Sequence, residues 1–350
     1  MKIERRRIQL TGGFTYIVSL PKKWAEEVGI KQGDYVLLIP QPDMSLLMVP
    51  DKVALMEKAN RETVLPPTED PEECVRNLVA AYIMGYDVIR IKLAKPLGET
   101  YTDIVKRVAK YKLIGAEIMG ESADEILIRC LIRRADLPLK DAINRMYMLV
   151  KSMCVDMDRA LEERSLHLLG QICARDDDVD RLYFFVLRQL KEAIKDRKVL
   201  HELGLNTAHE CLDYQLISRY LERMADHASR AACVMKKAIH EVSDEILHLL
   251  KDMCKICSEI LDKTMKSLRK LDTKSANDAL SDVRKAVDTE YKAIQALVKY
   301  ISLSPTAILH VRIALESLRR LCEYSADVAE IVIDLSIDKK TKSFPTSKLE

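Results

Sequence analysis

Two pairs of acids recur at the same spacing in the last half of this chain. Glu222 and Asp226 stand in LERMADHA, and Glu323 and Asp327 in LCEYSADVA. Carboxylates at i and i+4 project from one face of a helix, one turn apart, where their like charges repel. Glu222 and Asp226 are set in an otherwise apolar stripe of Leu216, Ile217, Tyr220, Leu221, Met224 and Ala225, which is no ordinary solvent face. Asp176 and Asp180 form a similar pair on the preceding segment. Carboxylates converging from neighbouring helices are how bundles hold hard or borderline cations. The competing reading is an ion-pair network with Arg219, Arg223, Arg188 or Lys191, and spacing alone leaves both open.

Other ligand types give weaker signals. Glu-x-x-His occurs once, at Glu245 and His248, whereas a ferritin-like di-iron centre takes two, which argues against one. Cys254-x-x-Cys257 is half a zinc motif without a second half, so core packing is expected there. The nine cysteines read as reduced core residues, and His167, His201 and His209 as structural or surface histidines. A hydrolase or oxidase built on the carboxylates is the alternative function. It lacks a nucleophile with a base and a nucleotide loop, so a regulator rather than an enzyme is expected.

The elements that position these acids follow from glycine and proline. Eight of ten glycines fall in residues 1–120, and no proline lies between Pro138 and Pro305, so the last two-thirds should be long helices. Six are expected, near 138–172, 176–197, 205–240, 243–270, 274–301 and 305–336. Ser243, Thr273 and Ser304, the last followed by Pro305, are the expected N-caps. Val179-Asp180 with Tyr183 repeats as Val287-Asp288 with Tyr291, 108 residues on, and the Glu-x-x-Ala-Asp-type pairs repeat after 101. Two three-helix units in tandem explain this.

Ahead of them, residues 1–50 read as four short strands around one helix opened by Pro21 and closed by Gly29. Strands so short cannot bury a core alone, so a dimer or a strand swap is expected. Residues 1–25 carry six Lys/Arg against Glu4, a footprint that can attract phosphate backbones. Residues 51–136 read as a small α/β connector with helices in PEECVRNLVAAYIMG and TYTDIVKRVAKYK and strands in YDVIRIKL, IGAEIMGES and DEILIRCLI. The net charge near +2 distinguishes no partner. No apolar run reaches a membrane span, and MKIERRRIQL shows no secretory leader, which together point to a cytoplasmic protein that is not membrane-embedded.

The V-D-x-x-Y and L-E-R-M-A-D-H-A patterns resemble PhoU, a phosphate-signalling family of paired three-helix bundles, over roughly 139–336. That resemblance implies iron, zinc or manganese in carboxylate clusters at Asp176, Asp180, Glu222 and Asp226, and at Asp288, Glu323 and Asp327. Arg284 stands where the first repeat has Asp176. TYIVSLPKKWAEEVGIKQGDYVLLI resembles the AbrB/SpoVT/MazE swapped-hairpin DNA-binding fold. By that likeness two chains interlace, and Arg5, Arg6, Arg7 and Thr11 contact DNA; in a third reading the head only dimerises. Together the two resemble archaeal PhoU-related phosphate uptake regulators. The fold class expected is multidomain α+β: a swapped-hairpin β-barrel module (1–50), the α/β connector (51–136), tandem PhoU-like bundles (137–241 and 242–338) and a flexible tail (339–350). The implied partners are DNA, a second copy, inorganic phosphate, and a phosphate transporter ATPase or phosphate sensor kinase.

Overall fold

The computed structural model describes residues 3–40, 44–51, 61–93, 99–132, 136–299 and 303–343. It divides into two compact units, residues 1–60 and 61–350.

The first unit contains two antiparallel hairpins. Strands β1 (Gln9–Thr11) and β2 (Thr15–Ile17) pair around Gly12 and Gly13, both at positive φ, and β3 (Val36–Pro40) pairs with β4 (Leu46–Pro50). Helix α1 (Lys22–Val28) starts after Pro21 and ends at Gly29, whose φ of 74° is the left-handed stop a glycine tolerates. The first of the four expected strands, in the segment RRRIQLT, is confined to Gln9–Thr11. Among the described residues of this unit Pro50 alone is buried, while Leu10, Tyr16 and Leu38 are 57%, 77% and 56% exposed. A segment patterned as strand but lacking an interior has no hydrophobic reason to fold alone.

The second unit opens with a four-stranded sheet. Strand β5 (Glu62–Leu65), which carries too little pattern to be seen in the sequence, runs parallel to β6 (Val88–Lys92) through helix α2 (Pro71–Ile83). Asp70 caps α2 by accepting from the Glu72 N–H, with Pro71 at the first turn. Helix α3 (Glu99–Lys112) leads to the hairpin β7 (Ala116–Glu121) and β8 (Glu125–Cys130), completing the order β5-β6-β8-β7. Gly115 is obligatory at φ 73°, because a Cβ there would sit 2.4 Å from the Ile132 Cβ.

The helical body follows: α4 (Leu139–Glu162), α5 (Leu166–Cys173), α6 (Asp176–Lys195), α7 (Arg197–Glu202), α8 (Ala208–Ala238), α9 (Asp244–Lys270), α10 (Thr273–Lys299) and α11 (Pro305–Ser343). The first expected helix is thus two. Arg164 breaks it at φ 49° because its guanidinium donates to the Ile239 and Val242 carbonyls and to Asp244, and Ser165 then caps α5. Of the expected caps, Ser304 accepts from the Ala307 N–H, but Asp272 rather than Thr273 caps α10 and the Ser243 hydroxyl makes no cap bond. Cys173 and Cys233 form a disulfide between α5 and α8, correcting the all-thiol expectation; their Cα atoms are 5.6 Å apart, a separation that suits a bridge. Cys254 and Cys257 are core residues, the latter 3.1 Å from Cys322 Sγ.

Helices α8 and α11, the last in each repeat, pack on one another. Met224 Sδ accepts from Ser325 Oγ at 3.6 Å, and these two stand 101 residues apart, the repeat's own offset. Equivalent residues meeting across an interface is the signature of two-fold packing, so the two bundles are related by a local pseudo-dyad. Tyr220 stacks on Tyr324 beside it. Arg188, buried on α6, donates to the Tyr82 and Tyr86 carbonyls and to Asp87, fastening the sheet layer to the bundle.

Candidate metal centre

Helix α6 begins with Asp176, Asp177 and Asp178, acids that the positive end of the helix dipole favours. Asp180 follows one turn later and faces α8, where Glu222 and Asp226 stand one turn apart. Each of Asp180, Glu222 and Asp226 offers one carboxylate oxygen, and the three oxygens lie within 4.8 Å of one another. Among the described residues this is the one such group.

Its electrostatics are those of a site short of positive charge. The Glu222 side chain is 12% exposed, and Arg219 donates to one of its oxygens at 3.1 Å. The other oxygen, Oε2, is buried with no hydrogen-bond partner. Burial, then the Asp226 charge, pushes the Glu222 carboxyl up to about 7 against the opposing pull of Arg219. Burial likewise raises Asp180 to about 6, with Lys112 opposing. Asp226 and Asp176 are raised too, burial first in each case. Arg219, Arg223 and Lys112 therefore do not offset what desolvation costs these acids. A divalent cation bound by oxygen ligands would, and the orphaned Glu222 oxygen supplies a ligand for it.

Of the ion-pair partners considered, Arg219 alone reaches the trio by a direct bond. Arg223 instead donates to the Tyr324 hydroxyl, and Arg188 serves the sheet layer. Asp176 stays outside the trio, its Oδ1 accepting from the Asp177 N–H at 3.0 Å. His227 lies tilted against Tyr324, and burial lowers its pKa. His167, His201 and His209 are on the surface.

The second repeat is built differently. Glu323 is held by Arg319 and, at 3.1 Å, by Arg320. Arg319 also pairs at 2.9 Å with Glu290, a buried acid that the motif does not include. Asp288 is exposed, and Asp327 is half-buried with its pKa raised by burial and then by Glu330 and Glu323. Asp288, Glu323 and Asp327 do not come together as a three-carboxylate group. Arg319 stands where the first repeat has Ser218, and its guanidinium bridges Glu290 and Glu323, while Asp288 lies exposed.

Lys112, at the end of α3, is the residue that spacing could not reveal. Its ammonium lies 3.0 Å from Asp177 and 3.8 Å from Asp180. In the first unit Arg5, Arg6 and Arg7 are exposed on the extended chain before β1, with Arg6 paired to Glu4, and Thr11 is exposed at the turn.

The PhoU domain model matches residues 143–235 and 250–332, together just over half of the chain. A model described as antidote-toxin recognition MazE, bacterial antitoxin, matches residues 9–54. A phosphate-specific transport system accessory protein PhoU homolog of Pseudomonas aeruginosa is 26% identical over 209 residues, 56% of this chain and 75% of its own. A homolog of the same description from Clostridium acetobutylicum is 31% identical over 80 residues, 23% of this chain and 33% of its own. The crystal structure of PhoU from Pseudomonas aeruginosa superposes with a TM-score of 0.51 at 18% identity, covering 57% of this chain and 96% of that one, which establishes the bundle fold.

Proposed function

The chain belongs to the PhoU domain family and carries a MazE-like N-terminal module, and from that premise we propose that it is a phosphate-responsive regulator of phosphate uptake. The relatives' description as phosphate-specific transport system accessory proteins and the carboxylate trio support this reading. Residues 1–50 form the DNA-binding and dimerising head, with Arg5, Arg6, Arg7 and Thr11 at its phosphate-facing edge. Its near absence of buried side chains supports a homodimer in which a second copy completes the core. Residues 51–136 connect it to the two bundles, 137–241 and 242–338; the tail expected from 339 begins later, since α11 continues to Ser343.

The observation that carries the regulatory reading is the unpaired Glu222 oxygen among three converging acids. Iron, zinc or manganese held by Asp180, Glu222 and Asp226 would present a positive centre to the oxygens of inorganic phosphate. A ligand that binds one arrangement of the helices better than another shifts the equilibrium between them. The body then reports to DNA through the head, and to a transporter ATPase or sensor kinase through its surface. No described helix is long and apolar enough to cross a membrane.

The test is DNA affinity of the full chain in manganese, with and without inorganic phosphate, across genomic promoter fragments. Phosphate should change the affinity of the wild type and leave that of Glu222→Gln/Asp226→Asn unchanged. Identical, phosphate-independent binding by both would overturn the proposal.

A further inference from the structure

The sheet layer formed by β5–β8, α2 and α3 lies outside every region the family models match. Two of its attachments to helix α6 are made by charged side chains. Arg188 ties the Tyr82–Asp87 end of the layer down with buried hydrogen bonds of 2.7–2.9 Å. Eleven residues earlier on the same helix, about 16 Å along its axis, Lys112 reaches from the last residue of α3 to Asp177 and Asp180.

The two attachments differ in kind. The Arg188 side chain is 8% exposed, and its guanidinium is spread over fixed carbonyl and carboxylate acceptors. The Lys112 side chain is 39% exposed, a single hydrated ammonium that water can receive at little cost. Of the other cations on α3, Lys106 pairs with Glu121 inside the layer and Lys110 lies over the Tyr111 ring. Asp180 therefore has two claims on its charge, the lysine of the layer and whatever the trio binds.

We propose that the sheet layer is a cation-responsive module. Lys112 is the tethered counter-ion of Asp177 and Asp180, and a divalent cation entering the trio displaces it and frees the α3 end of the layer while Arg188 holds the other end. The inference rests on the trio being a cation site. Its physics is mutual exclusion: an ammonium and a divalent ion on the same carboxylate repel, by about a tenfold change in affinity at 5–6 Å even in water-like dielectric. Because the tether and the site are linked, the ion loosens the layer by the same factor as the layer weakens the ion.

The experiment is calorimetric titration of Mn²⁺ into the full chain, beside amide hydrogen exchange of α3 and β7. Lys112→Met should bind Mn²⁺ about tenfold more tightly than wild type. Lys112→Arg and the control Lys106→Met should stay within about twofold of it, since neither removes the charge at the site. In the wild type, Mn²⁺ should speed exchange in α3; in Lys112→Met it should be fast already and indifferent to the ion. Equal or weaker Mn²⁺ affinity in Lys112→Met overturns the role of Lys112 and leaves the cation site standing. Failure of all four chains to bind Mn²⁺ refutes the site and the inference with it. Wild-type α3 exchange unmoved by bound Mn²⁺ overturns the inference whatever the variants do.

Discussion

Replacing Glu222 by glutamine should make the metal-free protein more stable at alkaline pH. The Glu222 carboxyl is raised from 4.5 to about 7. In that window the folded chain binds a proton that the unfolded chain has already released. The stabilisation from this protonation is complete below about pH 4.5 and is lost as pH rises through 7. At about 1.4 kcal/mol per pH unit the upper bound is about 3 kcal/mol, and the mutual coupling with Asp226 places the expected effect nearer 2. Glutamine keeps the shape and the donor-facing oxygen while removing the charge. Urea unfolding in a chelator, at pH 5 and pH 8, measures it. The wild type should lose about 2 kcal/mol more than Glu222→Gln between the two pH values, and added Mn²⁺ at pH 8 should restore the wild type alone. A variant less stable than wild type at pH 8 in chelator would show that the Arg219 pair outweighs desolvation, and the reasoning would fail.

Binding of DNA by the full chain should fall steeply between two salt concentrations in a gel shift, and Arg6→Ala should weaken it across all sequences alike; salt-insensitive binding refutes phosphate tracking by Arg5–Arg7. Light scattering at micromolar concentration should give at least a dimer, and removal of residues 1–50 should abolish it, since the head's strands have no interior of their own. Arg188→Met should destabilise the fold by about 1.5–3 kcal/mol in urea, because the guanidinium's bonds to two carbonyls and Asp87 are lost, while Asp87 keeps its bond from the Arg61 N–H and part of its hydration. A loss within about 0.5 kcal/mol, the range of a plain surface substitution, would show that interface to be incidental.

How far the sequence carried the reading depends on the range of each signal. Periodicity is local, so the long helices and the i,i+4 pairing of Glu222 with Asp226 were visible, and the repeat brought Asp180 into the same neighbourhood. The break at Arg164 was not, because its positive φ is held by carbonyls 75 and 78 residues away rather than by a glycine nearby. β5 escaped because four residues of edge strand carry no alternation strong enough to read. The second repeat misled by its motif: Glu323 and Asp327 kept the spacing, while Arg319 in place of Ser218 changed what the spacing holds. That substitution is legible once the repeats are aligned at an offset of 101, and Glu290 follows from it only in three dimensions. Lys112 could not be inferred, since its approach to Asp180 depends on how a separate sheet layer lies on α6.

The central claim is that Asp180, Glu222 and Asp226 bind a divalent cation, and elemental analysis of the purified full chain tests it most directly. The wild type and Glu323→Gln/Asp327→Asn should both retain iron, zinc or manganese after dialysis, and Glu222→Gln/Asp226→Asn should lose it. Equal metal content in the wild type and the Glu222/Asp226 variant, or metal lost only with Glu323 and Asp327, would contradict the account.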